Sequence, residues 1–321
     1  MTRWSIASVR RGRKLLLCLC LAAGSPAAGD TAFVTCQNGE VLSILDIDSG
    51  EERARWLVPG KPAGVSVAPD GSVFTVSPDS KTIRKFSPDG ALLGKIVLDG
   101  GPIGVAHDAV RGRLFVSDWY NSRIWVLNDE TLDIQTELVT GAAPAGLALS
   151  DDGQFLASAD RDADQVTVFL ADTLTLHARV TVGIRPFGLR YAPDGRLFVG
   201  NVGSNDVSVI ATDGSDVIET VPVGARPYGV AFAQGRAFVT NQYEDSVSVI
   251  DLSSLATIGK VSVGEYPEGI DNTSDGRRIV VANWFENTVT VIDAATLDVV
   301  NEIETGDGPR AFGEFVLGGK E

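Results

Sequence analysis

The sequence has few of the residues that most often carry catalysis or redox chemistry. Its 321 residues include three cysteines, two histidines and one methionine. No Cys-X-X-Cys-His motif is present, which excludes a covalently attached haem. A Ser-His-Asp order, a nucleophile elbow, a Walker loop and a glycine-rich dinucleotide fingerprint are also missing. The sequence therefore offers no motif of the common hydrolases, nucleotidases or dehydrogenases.

Long hydrophobic runs are also missing. The apolar run Leu15 to Ala23 is nine residues long, which is too short to span a bilayer. Five basic residues precede it and small residues follow it up to Gly29. This pattern predicts a signal peptide over residues 1–29 and a single domain over residues 30–321. We therefore expect a periplasmic or secreted protein with no membrane insertion.

The leader leaves its export route open. Arg10-Arg11 leaves twin-arginine export open as an alternative to the general secretory route. Cys18 or Cys20 leaves open a lipid-modified lipoprotein. Removal of the leader would leave Cys36 as the sole thiol, so no intramolecular disulfide can form. Cys36 is expected to be a packed small residue, with a reactive or partner-linking thiol as the alternative.

The chain also lacks positive charge. The net charge of −15 becomes −20 without the leader, because 22 basic residues then face 42 acidic ones. Such a surface disfavours nucleic acid and anionic lipid as partners. We expect a soluble monomer that binds no nucleic acid.

What the chain does have is a repeat. One proline recurs at intervals of 40 to 42 residues, at Pro62, Pro102, Pro144, Pro186, Pro227, Pro267 and Pro309. A small or polar residue that closes an apolar run recurs with the same spacing, at Cys36, Ser77, Asp118, Asp160, Asn201, Asn241 and Asn283. Two independent markers therefore give seven repeats.

Each repeat has the size of one propeller blade. In Arg236 to Gly276, three strand-length runs of β-branched or aromatic residues are followed by a turn and a fourth run. A four-stranded blade cannot bury both of its faces alone, so neighbouring blades must cover them. The fold class predicted is all-β, a seven-bladed β-propeller of four-stranded antiparallel blades with no helical segment.

The repeat resembles a known family. Phe238 to Asn241 followed by Val247 to Asp251, and Val281 to Asn283 followed by Val289 to Asp293, resemble the YVTN-type, YncE-like β-propeller repeat of secreted bacterial proteins. The resemblance covers residues 32–316 and implies the same seven-bladed fold. Members of such families include binding proteins, redox accessories and lactonase-like enzymes, so the resemblance leaves function open.

The ends of the chain predict how the ring closes. Ala32 to Thr35 aligns with the second strand of the repeat, which leaves the first blade without an innermost strand. Arg310 to Val316 can supply it, so one C-terminal strand should join three N-terminal strands in a shared blade. The other six blades begin at residues 63, 103, 145, 187, 228 and 268, and are numbered one to six here.

Arginine and aromatic residues concentrate in the loops expected at one channel mouth. Guanidinium and aromatic groups suit an anionic or aromatic ligand. The predicted ligand-binding residues are Arg185, Arg226, Tyr228, Tyr266, Arg310, Trp119, Tyr243, Trp284 and Arg190. A structural role stays open for each, since an arginine can pair with an acid of the next blade and an aromatic ring can cover a sheet edge.

Two innermost-strand positions depart from the repeat. Most blades place a small residue there, whereas blade four has Arg190 and blade six has Asp271. Both should face the channel, as an ion pair or polar network or as ligand contacts. His107 is expected to be a packed imidazole rather than a catalytic base.

Three functions remain open at this point. We expect a non-catalytic propeller that binds a small anionic or aromatic molecule or a partner protein at the channel mouth. The first alternative is a lactonase-like hydrolase with a divalent metal held by Glu268 and Asp271 beside repeat asparagines. The second is a periplasmic scaffold for a dehydrogenase or transport system.

Overall fold

The computed structural model describes residues 1–2 and 29–319, so residues 3–28 of the predicted signal peptide lie outside the described residues. Three strands come first, β1 (Thr31–Cys36), β2 (Val41–Asp46) and β3 (Glu51–Leu57). The next strands, in chain order, are β4 (Gly64–Val67), β5 (Val73–Ser77), β6 (Thr82–Phe86), β7 (Leu92–Val97), β8 (Pro102–Asp108), β9 (Arg113–Asp118), β10 (Arg123–Asn128), β11 (Ile134–Val139), β12 (Pro144–Leu149), β13 (Phe155–Asp160), β14 (Gln165–Leu170) and β15 (Thr175–Thr181). The remainder are β16 (Pro186–Tyr191), β17 (Leu197–Asn201), β18 (Asp206–Ile210), β19 (Val217–Pro222), β20 (Pro227–Ala233), β21 (Arg236–Asn241), β22 (Ser246–Asp251), β23 (Thr257–Ser262), β24 (Pro267–Asn272), β25 (Arg278–Asn283), β26 (Thr288–Asp293), β27 (Val299–Glu304), β28 (Phe312–Glu314) and β29 (Val316–Leu317).

These strands form seven blades in a closed ring. Blades one to six are β4–β7, β8–β11, β12–β15, β16–β19, β20–β23 and β24–β27, each antiparallel with its first strand nearest the axis. From β4 to β24 each first strand contacts the first strand of the next blade, and β28 contacts both β24 and β4 to complete the inner ring. The predicted fold class is confirmed. Within the described residues the only helix is a 3₁₀ turn, Arg161–Ala163, and no helix is long and apolar enough to cross a membrane.

Burial follows the position of a strand in its blade. The second strands are buried along nearly their whole length, as in Val73–Ser77, because both of their faces pack against other blades. The fourth strands are mostly exposed to water, as in Thr257–Ser262, where only Val261 is buried. The core consequently consists of apolar layers between blades.

A glycine two residues after the repeated proline allows the first strands of neighbouring blades to pack closely around the ring axis. A Cβ at Gly188 would lie 2.0 Å from the carbonyl oxygen of Tyr228 in the next blade. Glycine recurs at this place in each of blades one to six, and a Cβ there would meet a carbonyl of the following strand every time. These glycines are required by close approach of backbones.

Ring closure uses one C-terminal and three N-terminal strands, in the order β29-β1-β2-β3, as predicted. The closing strand lies later than predicted, because only Val316 and Leu317 pair with β1. Phe312–Glu314 instead pairs in parallel with Gly64–Ser66 of blade one. Between these two pairings, Oδ2 of Asp271 accepts the N–H groups of Phe315 and Val316 at 2.8 and 2.9 Å, at the point where the chain turns back to β1.

Candidate functional site

The candidate site lies at one end of the ring. Loops from the fourth strand of one blade to the first strand of the next gather there with loops between second and third strands. We call this end the loop face. The opposite end carries the hairpins between first and second strands, and we call it the hairpin face. All predicted ligand-binding residues except Arg190 belong to loops or strand ends of the loop face.

The residue before the repeated proline has a left-handed backbone in most repeats. Arg185, Arg226 and Tyr266 have φ values of 55°, 56° and 61°. This conformation costs a residue with a side chain about 1–2 kcal/mol. Its persistence in residues other than glycine requires that surrounding bonds hold the loop in place.

A side-chain latch supplies those bonds. In four of the repeats the N–H of the residue before the repeated proline donates to an Asp or Asn 21 residues earlier, in the loop between second and third strands. The pairs are Arg185 with Asp164, Arg226 with Asn205, Tyr266 with Asp245 and Gly308 with Asn287, at 2.8 to 2.9 Å. Each loop of this group therefore presents its side chain in one fixed place.

The polar residue that closes each second strand is a second latch. Asp118, Asp160 and Asn241 accept the N–H of a loop glycine at 2.8 to 3.0 Å. Asn241 also donates to Ser246 and Ser248 of the third strand. Asn241 therefore has both side-chain atoms bonded, whereas Asn201 and Asn283 donate through Nδ2 but keep a buried Oδ1 without a partner among the described residues.

Five of the loop residues form a continuous group that we call the aromatic stripe, made of Arg226, Tyr243, Tyr266, Trp284 and Phe285. The Arg226 guanidinium stacks 4.3 Å above the Tyr243 ring and donates to its hydroxyl at 2.7 Å. Tyr266 then lies 5.5 Å from Tyr243 and 5.6 Å from Trp284, between ring centroids. Phe285 contacts both Tyr266 and Trp284 at 4.8 and 4.5 Å.

The outer rings of the stripe are exposed to water, and two buried nitrogen atoms lie beneath them. Tyr243 and Phe285 are 57% and 59% exposed, whereas Tyr266 is half-buried. Burial and Tyr243 raise the pKa of Tyr266 to about 12, so its hydroxyl stays protonated. Nε of Arg226 and Nε1 of Trp284 are buried and find no partner among the described residues. Buried polar atoms are normally paired, so two unpaired donors mark the stripe as unusual.

Three further rings close the channel at the loop face. Phe187 of blade four lies 4.3 Å from Tyr228 of blade five and 5.0 Å from Phe312, whose strand lies between blades six and one. Rings from non-adjacent blades meet only across the axis. All three are buried, with Tyr228 4% exposed. We call this cluster the aromatic plug.

A buried polar network surrounds the plug. Arg310 donates to Glu268 at 2.6 Å and to the Tyr228 hydroxyl at 2.6 Å, and Gln242 donates to Glu268 at 2.7 Å. Burial raises the pKa of Glu268 although Arg310 opposes the shift. Burial disfavours the charge of Arg310, but Glu268 and Tyr228 outweigh it and raise the pKa of that guanidinium. The network therefore holds a charged pair at the base of the loop face.

Arg190 lies apart from the loop face, inside the channel. Its Nη1 donates to Oδ1 of Asp271 across the axis at 2.6 Å, and its Nη2 lies 3.8 Å from Oε1 of Glu314. Arg190 and Asp271 face the channel as predicted, and they pair with each other. Arg190 also lines a cavity of about 240 Å³ on the ring axis.

The structure thus divides the predicted ligand residues. Arg226, Tyr243, Tyr266 and Trp284 meet in the stripe. Tyr228 and Arg310 belong to the plug and its network, and are therefore largely enclosed. Trp119 lies elsewhere on the face, with Arg161 stacked 5.3 Å above it, while Arg185 is exposed.

The two metal candidates both face arginine. Glu268 is bonded to Arg310 and Asp271 to Arg190. Within residues 1–2 and 29–319, no group of three or more His, Cys, Asp or Glu side chains is arranged to hold a metal ion. His107, also considered for catalysis, is buried and bonded through Nε2 to Asp129 at 2.8 Å.

Three residues that matter here were missed by sequence reasoning. Phe312 and Glu314 lie in the short strand that leaves the expected register, and no local pattern reveals that departure. Phe285 directly follows Trp284 in the sequence, but it is not among the predicted site residues. The latch had a visible signal, because an Asp or Asn stands 21 residues before Arg185, Arg226, Tyr266 and Gly308.

Comparison with known families gives two partial matches. A YNCE-like beta-propeller family matches residues 201–317, and a family described as lactonase, 7-bladed beta-propeller, matches residues 121–218. No curated protein matches the chain.

Solved structures share the architecture at low identity. A streptogramin B lyase is 20% identical, with a TM-score of 0.67, over 81% of this chain and 92% of that one. A protein of unknown function from Desulfotomaculum acetoxidans is 13% identical, with a TM-score of 0.75, over 87% and 98% of the chains. The dihydro-heme d1 dehydrogenase NirN is 16% identical, with a TM-score of 0.67, over 90% and 75%. At these identities the likeness establishes the fold alone.

Proposed function

We propose that this seven-bladed propeller, of which residues 201–317 match a YNCE-like beta-propeller family, is an exported, non-catalytic binding protein that docks a partner protein on its loop face. The aromatic stripe is the contact surface. The observation that carries the proposal is the stripe itself, a run of stacked side chains whose outer members project into water from latched loops.

The shape of the stripe favours a protein over a small molecule. Tyr243 and Phe285 each expose more than half of their surface, and neither lines the axial cavity. A small ligand gains most of its affinity by being enclosed in a concave pocket. Projecting tyrosine, tryptophan and phenylalanine beside an arginine are the residues that dominate protein interfaces.

The chemistry of the stripe limits the partner. Arg226 stacks on Tyr243 and offers a guanidinium to a carboxylate. The rings beside it offer apolar area. A partner that places an acidic side chain next to apolar ones complements both, and the latches reduce the ordering cost of binding.

Paired variants test the proposal. Tyr243→Ser with Phe285→Ser removes the projecting rings, and we expect loss of a partner that co-purifies with the wild-type protein from the extracytoplasmic fraction. Ile258→Ser with Val299→Ser is the matched control, because both residues are exposed apolar side chains on outer strands. If the control variant also loses the partner, or if the stripe variant keeps it, the aromatic stripe is not the docking surface. Loss of binding to a low-molecular-weight compound instead would assign the stripe to a small anionic or aromatic ligand.

The lactonase family match over residues 121–218 favours one second candidate, a lactonase-like hydrolase. Glu268 and Asp271 lie outside the matched residues and are paired with arginines, so a metal would have to displace those partners. Lactone hydrolysis in the presence of Ca²⁺ or Mg²⁺ measures this directly. Turnover that is lost in Asp271→Asn and kept in Tyr243→Ser would establish the hydrolase and remove the non-catalytic proposal.

A further inference from the structure

The central channel is a blind pocket that opens on the hairpin face. Its cavity of about 240 Å³ is lined by residues of the innermost strands around the ring. Phe312 lines it at the loop-face end, where the aromatic plug closes the axis. At the other end it is lined by Ser150 and Asp151, which lie in the hairpin between β12 and β13.

The pocket has an apolar wall and a charged mouth. Its wall is formed by one branched side chain from each of blades two to six, namely Val105, Leu147, Leu189, Val230 and Ile270. Its charged groups are Arg190, Glu314 and Asp151, with His107 beside them. An apolar wall with a few convergent polar groups is the usual composition of a small-molecule site.

The charge at the mouth is unbalanced. Arg190 is the one permanent cation among these groups, and its Nη1 is bonded to Asp271. Asp271 is satisfied further by the N–H groups of Phe315 and Val316. Asp151 and Glu314 therefore remain as two carboxylates without an equal positive charge.

Neither Glu314 nor Asp151 receives a hydrogen bond within the described residues, but Glu314 lies on the innermost strand β28, whereas Asp151 lies in a hairpin at the mouth, so we take Glu314 as the main anchor. No hydrogen-bond donor among the described residues reaches it, and its nearest cation is Nη2 of Arg190 at 3.8 Å. The channel wall surrounds it, although water reaches 63% of its side chain.

We propose that this pocket binds a small aliphatic amine, with the ammonium group at Glu314 and the alkyl chain along the apolar wall. Three carboxylates around one guanidinium attract a monovalent cation and repel an anion. The ammonium supplies the donors that Glu314 lacks, in a charge-assisted hydrogen bond. The site lies at the opposite end of the ring from the aromatic stripe, so it does not depend on the partner-docking proposal.

Calorimetric titration with n-hexylamine tests this inference. We expect saturable binding of one hexylamine per protein. Glu314→Gln should weaken it at least about tenfold, which is the loss of one charge-assisted hydrogen bond. Glu304→Gln, a change of the same kind on an exposed outer strand, should leave the affinity within about twofold of the wild type. Circular dichroism of both variants checks that the ring is intact.

Two counter-probes make the result specific. Hexanoate has the same chain and the opposite charge, and hexanol has no charge, so neither should compete with hexylamine. Absence of saturable hexylamine binding, equal affinity in Glu314→Gln, or competition by hexanoate would each overturn the proposal. Lowering the pH through the titration of Glu314 should weaken hexylamine binding more in the wild type than in Glu314→Gln, which keeps Asp151 but lacks the main anchor.

Discussion

Arg310 donates to Glu268 at 2.6 Å in the buried network beneath the loop face. Arg310 follows the last turn proline, and Glu268 begins blade six, so the pair ties the C-terminal segment to the ring. Both side chains are mostly buried, at 19% and 4% exposed. Breaking such a pair leaves an uncompensated charge in the interior, which costs more than the pair itself contributes.

Arg310→Met should therefore destabilise the protein strongly. We expect a loss of about 3–5 kcal/mol in the free energy of unfolding by urea at neutral pH. Arg277→Met is the control, because Arg277 is 78% exposed and should change stability by less than about 1 kcal/mol. Equal losses in the two variants would contradict a buried pair.

The loss in free energy of unfolding caused by Arg310→Met should become smaller as the pH falls. Burial raises the pKa of Glu268 above its unfolded value, and removing Arg310 raises it further. A carboxyl with a raised folded pKa contributes stability that is complete below the unfolded pKa and is lost as pH rises through the folded one. The difference in free energy of unfolding between the variant and the wild type should accordingly shrink as the pH is lowered towards 4.5. A gap that widens on acidification would show that Glu268 is not the group left unpaired.

Asp271→Ala should open the ring closure. Asp271 holds Arg190 and accepts the N–H groups of Phe315 and Val316, so its loss frees both the guanidinium and the closing strand. We expect a loss of about 3–5 kcal/mol and faster amide hydrogen exchange at Val316 and Ala32. Asp298→Ala, on an exposed turn, should change neither quantity.

Arg226→Gly should separate stability from binding. Glycine accepts φ of 56° without strain but loses more entropy on folding, so the net stability should change by less than about 1 kcal/mol. Partner binding should fall, because the guanidinium of the stripe is gone. Ala143→Gly has the same backbone geometry with φ of 53° and should leave binding intact. A large stability loss in Arg226→Gly alone would show that Arg226 is structural.

The thiol of Cys36 should be unreactive in the folded protein. It is buried, and burial raises the pKa of its thiol although Ser43 and Thr305 act against the shift. A thiol-specific chromogenic disulfide should react with it at least about a hundredfold more slowly than in the urea-unfolded chain. Fast reaction in the native state would favour the partner-linking alternative.

The sequence predicted the ring well because its signals are local. Prolines such as Pro227 and Pro267 and the polar strand ends recur within single blades, and the missing innermost strand identified the shared blade. Contacts across the axis could not be read in this way. Tyr228 and Arg310 belong to the same loop positions as exposed residues, and only the closed ring determines which side chains fill its centre. The pairing of Phe312–Glu314 with Gly64–Ser66 joins residues about 248 positions apart, so no local pattern could reveal it.

Site-specific photocrosslinking tests the loop-face proposal most directly. A benzophenone amino acid in place of Phe285 should give a discrete adduct with a protein in cells that export the chain, and Arg226→Ala with Tyr266→Ala in the same molecule should abolish it. The same probe in place of Val110, which is 89% exposed on the hairpin face, is the control and should give no adduct with that protein. An adduct of equal yield from position 110, or one from position 285 that survives the double variant, would contradict docking on the aromatic stripe.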